Sequence, residues 1–216
     1  ESDLLFASDP DADRLGVVAL HKGKASILTG NEIASICIEY LSQRLKDKSQ
    51  LPANPTFVTT IVSTDLIDAI CSFYGFSCKR VITGFKYIGE KIRLWEEDLS
   101  HTFIFGAEES YGYLLGTHAR DKDAVVSCCL LSEIALQLKK QNLTLVDFLF
   151  ELYQRYGIYR ESQLSIKFFS GKEGMESMKR TMKLLRQTPP KLIQGKKVTF
   201  FEDYEKGLHD LTPSDV

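Results

Sequence analysis

The residues best suited to chemistry in this sequence come early. Asp9-Pro-Asp11-Ala-Asp13-Arg14 follows a short apolar run. Three carboxylates at i, i+2 and i+4 of an extended loop can turn toward one centre. Their mutual repulsion makes the arrangement costly unless a cation fills it. Carboxylate oxygens are hard ligands that suit Mg2+, Mn2+ or Ca2+ rather than zinc. An EF-hand is rejected, because the sixth loop position must be Gly and the twelfth Glu. Counted from Asp9, those positions hold Arg14 and Leu20. Three readings stay open here: a phosphatase whose strand-end Asp-x-Asp supplies nucleophile and acid, a bare Mg2+ loop with Arg14 placed to meet a phosphate, and an acidic solvated turn.

Three further stretches carry candidate groups. Phe105-Gly-Ala-Glu108-Glu109-Ser110-Tyr111-Gly112 follows a strand-like run, where α/β enzymes place ligand-binding groups. Its carboxylates and hydroxyl suit the vicinal hydroxyls of a sugar, or else form an ordinary polar loop. Arg120-Asp-Lys122-Asp123 reads either as a surface ion-pair cluster or as a lysine that moves protons near a phosphate. Thr83-Gly84-Phe85-Lys86 reads as a strand-to-helix turn whose backbone can approach an anion. A dehalogenase-type phosphatase would also need a lysine followed by a Gly-Asp-x-x-x-Asp loop, and no such motif is found. The four histidines, His21, His101, His118 and His209, share no metal-ligand spacing and read as surface or loop residues; Trp95 reads as core.

The elements that must position these groups follow from periodicity and punctuation. Runs 4–8, 15–20 and 25–28 read as strands separated by Asp9-Pro10 and the turn Lys22-Gly23-Lys24. From Gly30, the residues Ile33, Ile36, Cys37, Tyr40, Leu41 and Leu45 repeat at helical spacing until Pro52 and Pro55. A buried strand is expected over 57–62. A helix then runs from Asp65 to Phe73, capped by Ser63 or Thr64 and stopped by Gly75. Strands over 78–82 and 102–106 flank a helix over 88–97; a Gly-, charge- and Tyr-rich loop fills 107–122. Helices over 123–140 and 145–156 follow, the second opened by a capping box from Thr144 to Asp147 and ended by Gly157. This alternation predicts an α/β fold, a β-sheet covered by α-helices. The stretch 161–216 differs in texture: a strand-like run 163–169, a basic helix 173–186 with Met175, Met178 and Met182 at helical spacing, and a strand 197–202.

Composition narrows the class. The chain has 216 residues, 44% hydrophobic and 26% charged, which excludes a disordered tail, a collagen and a coiled-coil rod. A net charge of −2 provides no basic field for nucleic acid. No apolar run is long enough to span a membrane, and Glu1-Ser2-Asp3 does not open a signal peptide. Five cysteines without a CxxC read as reduced thiols of a cytoplasmic protein, mostly core filler. A chain that starts at Glu and enters a strand at once reads as a piece of a longer protein.

Taken in order, DPDADR, TGFKYIG, GAEESYG and RDKD resemble the α-D-phosphohexomutase family of phosphoglucomutases and phosphomannomutases over about residues 5–160. The acidic loop and the Glu-x-Ser loop are the most specific parts, and the pairing with RDKD lies nearer the glucomutase side. The resemblance implies four domains in the parent protein and, for this chain, an α/β fold with a mixed β-sheet covered by α-helices and partial flanking segments. Residues 1–28 would end the second domain, 29–160 would form the third, and 161–216 would link into a truncated fourth. It implies Asp9, Asp11 and Asp13 as Mg2+ ligands and Arg14 facing a phosphoserine. It likewise implies Glu108 and Ser110 on sugar hydroxyls, Thr83, Gly84 and Arg120 beside the substrate, and Lys122 in proton transfer. The implied reaction interconverts hexose 1-phosphate and hexose 6-phosphate through an enzyme phosphoserine, with glucose 1,6-bisphosphate as intermediate and activator. Departures are clear: the Thr-x-Ser-His-Asn-Pro serine loop and the Arg-x-Ser-Gly-Thr-Glu-Pro phosphate loop are not in this sequence. The chain's partners would then be a sugar phosphate and the missing domains 1, 2 and 4, with no nucleic acid and no membrane. The alternatives are a non-catalytic sugar-phosphate or metal-binding module and a phosphopentomutase-type substrate.

Overall fold

The computed structural model describes residues 2–47, 51–162, 166–199 and 201–204. The chain divides into two compact units, Glu1–Arg160 and Glu161–Val216. In the first, strands β1 (Leu4–Ser8), β2 (Leu15–His21) and β3 (Lys24–Leu28) form an antiparallel meander. Leu15, Val17 and Ala19 of β2 alternate inward, as the period of two in a strand requires. Ile27 and Leu5 lie on exposed positions of the same meander.

Helix α1 (Gly30–Asp47) leads to β4 (Pro55–Thr60), α2 (Leu66–Tyr74), β5 (Ser77–Val81), α3 (Phe85–Asp98), β6 (Thr102–Ala107) and β7 (Tyr113–Leu115). The sheet order is β5-β4-β6-β7, with β4 parallel to both neighbours and β7 antiparallel on β6. It is therefore a mixed sheet, as expected. Helices α4 (Ala124–Lys139) and α5 (Leu145–Tyr156) close the unit. Phe57, Phe105, Ala107 and Tyr113 share one core with α1, α2, α4, α5 and β2, while Val58, Phe103 and Leu114 pack with Phe85, Ile88, Ile92 and Trp95 of α3. Phe103 and Phe105, two residues apart, thus join opposite layers. The register explains it: Thr56 pairs with Phe103 and Phe57 with Phe105, so Ile104 is an extra residue on β6. A bulge of this kind re-aims whatever follows it, here the loop that begins at Glu108.

Several boundaries differ from expectation. β4 starts at Pro55 and ends at Thr60 rather than running over 57–62. α3 starts at Phe85, three residues early, because Gly84 at its N-cap offers no side-chain signal. The 107–122 loop contains β7, a strand too short to stand out among Gly and Tyr residues. No side chain of Ser63 or Thr64 caps α2 from the N-cap position; Asp65 sits there without a side-chain hydrogen bond, although Thr64 Oγ1 accepts from Leu66 N at 3.2 Å. Gly75 takes the left-handed C-cap and the Thr144–Asp147 capping box forms in full. Trp95 is core. All five cysteines are free, with Cys37 and Cys71 buried and Cys129 exposed.

In the second unit, α6 (Lys172–Gln187) is followed by a small hairpin, β8 (Leu192–Ile193) with β9 (Lys196–Lys197). Of the strand expected over 197–202, Lys197 lies in β9, 198–199 and 201–202 form no strand, and residue 200 lies outside the described residues. Of the run 163–169, residues 163–165 lie outside the described residues and 166–169 form no strand. Among the described residues, no helix is long and apolar enough to cross a membrane.

Candidate active site

The acidic loop is shaped by its own backbone. Ala12 takes a left-handed φ of 56° and donates its N–H to Asp9 O at 3.0 Å. A non-glycine residue there costs roughly 1–2 kcal/mol, strain of a kind that collects at functional loops. Asp9 Oδ1 accepts the N–H groups of Asp13 and Arg14 at 3.2 and 3.1 Å. The Arg14 N–H is the main reason the Asp9 carboxyl lies below its ordinary range. The result is that Asp9, Asp11 and Asp13 each offer an oxygen within 4.8 Å of the others. Asp13 Oδ1 is buried and has no hydrogen-bond partner. A buried acceptor left unmet is costly, and three convergent carboxylates with such an atom fit a hard divalent cation such as Mg2+.

The loop is fastened to the two other candidate stretches. Leu15 N donates to Tyr111 O at 3.0 Å, Ala124 N donates to Ala12 O at 3.0 Å, and Arg14 forms a bridge with Gly112. Lys122 completes the link: its Nζ lies 2.8 Å from Asp13 Oδ2 and 2.9 Å from Asp121 Oδ1, with 11% of the side chain exposed. Burial lowers the Lys122 pKa, but the hydrogen bonds to Asp13 and Asp121 outweigh it and leave the ammonium held on.

Glu108 stands at the end of β6 and is 5% exposed. Its N–H bonds Gly112 O at 2.8 Å, which closes the 108–112 loop, and its Oε1 accepts Gly84 N–H at 2.9 Å. Gly84 is the N-cap of α3, so the carboxylate sits at the positive end of a helix. Burial nonetheless raises its pKa above the ordinary value, against the pull of the Gly84 N–H and of Lys122. Gly112 is the pivot: a Cβ there would come within 2.2 Å of Lys122 Cδ and 3.4 Å of Glu108 Oε2. Only a glycine lets these two side chains lie over the same spot.

The structure therefore joins Asp9, Asp11, Asp13, Arg14, Lys122, Glu108 and Gly84 in one continuous set, with Thr83 and Ser110 on its loops. Arg120 is placed differently. Its guanidinium engages Glu96 of α3 and the Thr117 and Ala119 carbonyls rather than any other candidate. Sequence reasoning missed the supports. Thr60 Oγ1 donates to Glu109 Oε2 at 2.8 Å, and Arg80 binds the Thr60, Ser63 and Thr64 carbonyls at 3.1–3.2 Å together with Asp65 and Asp68. The only hint in the sequence was a pair of hydroxyls closing the β4 run. Asp123, quoted within RDKD, caps α4 through Val125 and Val126 N–H and holds His118 Nε2 at 2.9 Å.

A family described as phosphoglucomutase/phosphomannomutase, alpha/beta/alpha domain III, matches residues 29–156. Phosphoglucomutase from Staphylococcus haemolyticus is 36% identical over 206 residues, covering 95% of this chain and 36% of its own length. Phosphoglucomutase from Staphylococcus aureus is 37% identical over 204 residues, covering 94% of this chain and 36% of its own. The chain thus spans about a third of the length of these relatives. The open form of Paramecium parafusin, a phosphoglucomutase, shares the fold with a TM-score of 0.59 at 17% identity, over 94% of this chain and 33% of that one.

Proposed function

Since the chain belongs to the phosphoglucomutase/phosphomannomutase family, we propose that it is the metal-loop and sugar-loop portion of a mutase interconverting hexose 1-phosphate and hexose 6-phosphate, with glucose as the hexose. Four stretches of the sequence meet through the Asp13–Lys122 ion pair at 2.8 Å, the Gly84–Glu108 hydrogen bond at 2.9 Å and Gly112, which lies against both Lys122 and Glu108. That meeting is the observation that carries the reading. In the full protein, other parts would supply the phosphoserine and the second phosphate site, and the reaction would pass through a bisphosphorylated sugar such as glucose 1,6-bisphosphate. The cytoplasm is the proposed compartment.

The chain's own residues have separable jobs in this scheme. Asp9, Asp11 and Asp13 would hold Mg2+, which neutralises charge on a transferring phosphoryl group when bound. Arg14, half-exposed beside Asp9 and Asp13, would face the phosphoserine and bind its oxygens. Glu108 and Ser110 would accept and donate hydrogen bonds to sugar hydroxyls, with Thr83 and Gly84 bounding the same space. Lys122 would hold positive charge, and a transferable proton, beside the phosphoryl oxygen. A second reading concerns the chain taken by itself: spanning a third of its relatives, it would be a non-catalytic sugar-phosphate and metal-binding module. A pentose phosphate remains the alternative substrate.

The test uses the full-length parent protein. Asp11 is exposed, so Asp11→Asn should leave folding intact while impairing glucose 1-phosphate to glucose 6-phosphate conversion and phosphorylation of the enzyme, read by mass spectrometry. Wild-type turnover in Asp11→Asn would remove the metal role, and a wild-type parent inactive on every hexose and pentose phosphate would remove the mutase reading.

A further inference from the structure

The geometry points to a second job for Lys122: it is the resident counter-ion of the acidic loop, holding the loop together without metal and weakening its grip on a divalent cation. The inference rests on the proposed metal role of Asp9, Asp11 and Asp13. The two oxygens of Asp13 are used differently. Oδ2 is taken by the Lys122 ammonium at 2.8 Å, whereas Oδ1 is buried, accepts no hydrogen bond and has Arg14 Nε at 3.7 Å. The lysine is not a loose surface charge. Asp121 holds it from the other side at 2.9 Å, the Phe85 ring lies 5.6 Å beneath the nitrogen, and its stem packs on Gly112.

Two effects of that ammonium on a metal oppose each other. As a hydrogen-bond donor it orients Asp13, and partners of ligating carboxylates usually raise affinity. As a fixed positive charge next to a ligand oxygen it repels a dication, in a partly buried setting where screening is weak. Orientation is already supplied by the loop: Asp13 N–H is tied to Asp9 Oδ1, and Ala12 O is tied to Ala124 N–H. The charge is supplied by Lys122 and, further out and more exposed, by Arg14. Repulsion therefore wins, and the lysine lets the loop exist empty at the expense of metal affinity.

The test compares the 216-residue chain with Lys122→Gln, which keeps a donor and loses the charge, and with Lys122→Met, which loses both. Mn2+ is titrated with the free ion read by electron paramagnetic resonance, Mg2+ is used as competitor, and melting is followed with chelator and with saturating Mg2+. Lys122→Gln should bind Mn2+ roughly 10-fold tighter than wild type. It should melt lower in chelator and gain more from Mg2+ than wild type does. Equal or weaker binding by Lys122→Gln, or an unchanged melting point in chelator, overturns the inference while leaving the metal site standing. No Mn2+ binding by the wild-type chain or by either variant removes the metal reading and the inference together.

Discussion

Two glutamates in the first unit are buried to nearly the same degree and live in opposite circumstances. Glu39 on α1 is 0% exposed and Glu108 after β6 is 5% exposed. Glu39 receives four donors: Gln43 Nε2 at 2.8 Å, Tyr74 OH at 2.9 Å and Arg155 Nη1 at 2.7 Å on one oxygen, and Tyr156 OH at 2.8 Å on the other. These ties cross from α1 to α2 and α5, so the carboxylate knits three helices. Glu108 receives the single backbone N–H of Gly84 and has Lys122 nearby. Buried polar groups in folded proteins are normally satisfied. A carboxylate with full satisfaction is scaffold, and one with spare acceptor capacity beside a cation and two glycines suits the ligand role proposed for Glu108. Accessibility alone would have classed them together.

The largest effect should come from breaking the scaffold. Glu39→Leu leaves the Tyr74 and Tyr156 hydroxyls without their acceptor. It also strands a guanidinium whose side chain is 42% exposed and can turn to water. Removing one partner of a buried, hydrogen-bonded charge costs about 3–5 kcal/mol, and the partial exposure of Arg155 puts the expectation near about 3 kcal/mol. Urea denaturation of the chain measures it. A loss under about 1 kcal/mol would place Glu39 among ordinary surface charges and dissolve the contrast.

Glu108→Gln should behave in the opposite way. The folded state raises this pKa above its ordinary value of 4.5, so folding is favoured by protonation. The contribution is fully present below the unfolded value and is lost as pH rises through the folded one; at neutral pH the buried charge is a cost. Glutamine keeps an acceptor for Gly84 N–H without the charge. Stability at neutral pH should therefore match or exceed wild type, and the variant's advantage should grow from pH 4 to pH 7. In the full-length parent, losing the proposed charge-assisted bonds to sugar hydroxyls, worth about 1.5–3 kcal/mol, should lower kcat/KM roughly 10–150-fold. A variant both less stable and fully active would make Glu108 another Glu39.

The two glutamates also mark what the sequence reveals. The convergence of Asp9, Asp11 and Asp13 is legible because all three lie in one short stretch, and the Glu108-Glu109-Ser110 loop stands out for the same reason. The Thr144–Asp147 cap is legible for the same reason. Glu39 is not, because its partners lie at positions 43, 74, 155 and 156, and only packing of α1 against α2 and α5 brings them together. Periodicity marked Ile36, Cys37 and Tyr40 as the buried face of α1, yet Ser35, Ile38, Glu39 and Ser42 are buried as well. A helix enclosed on several sides has no single face for a repeat to report. β7 was hidden because three residues gain strand character only from pairing with Phe105–Ala107. Arg80 and Thr60 act through tertiary contacts in the same manner.

Arg120 supplies the smallest expected effect and a third point on the scale. The resemblance implies a substrate role, yet its guanidinium pairs with Glu96 at a site where the two side chains are 42% and 47% exposed. Ion pairs of that exposure are worth about 0.2–1 kcal/mol and fade with salt. Two carbonyl contacts, Thr117 O at 2.6 Å and Ala119 O at 3.0 Å, belong to its own loop and can be replaced by water. Arg120→Ala, Glu96→Ala and the double variant should each lose less than about 1 kcal/mol, with a coupling energy below about 0.5 kcal/mol in moderate salt. A stability change that small leaves the guanidinium free to be drawn to an anionic substrate, because little is lost when it leaves Glu96. A coupling energy above about 2 kcal/mol would instead make Arg120 a fixed brace of the loop that carries Lys122. The line between scaffold and ligand-facing charge would then have to be drawn by partner count rather than by burial even at the surface.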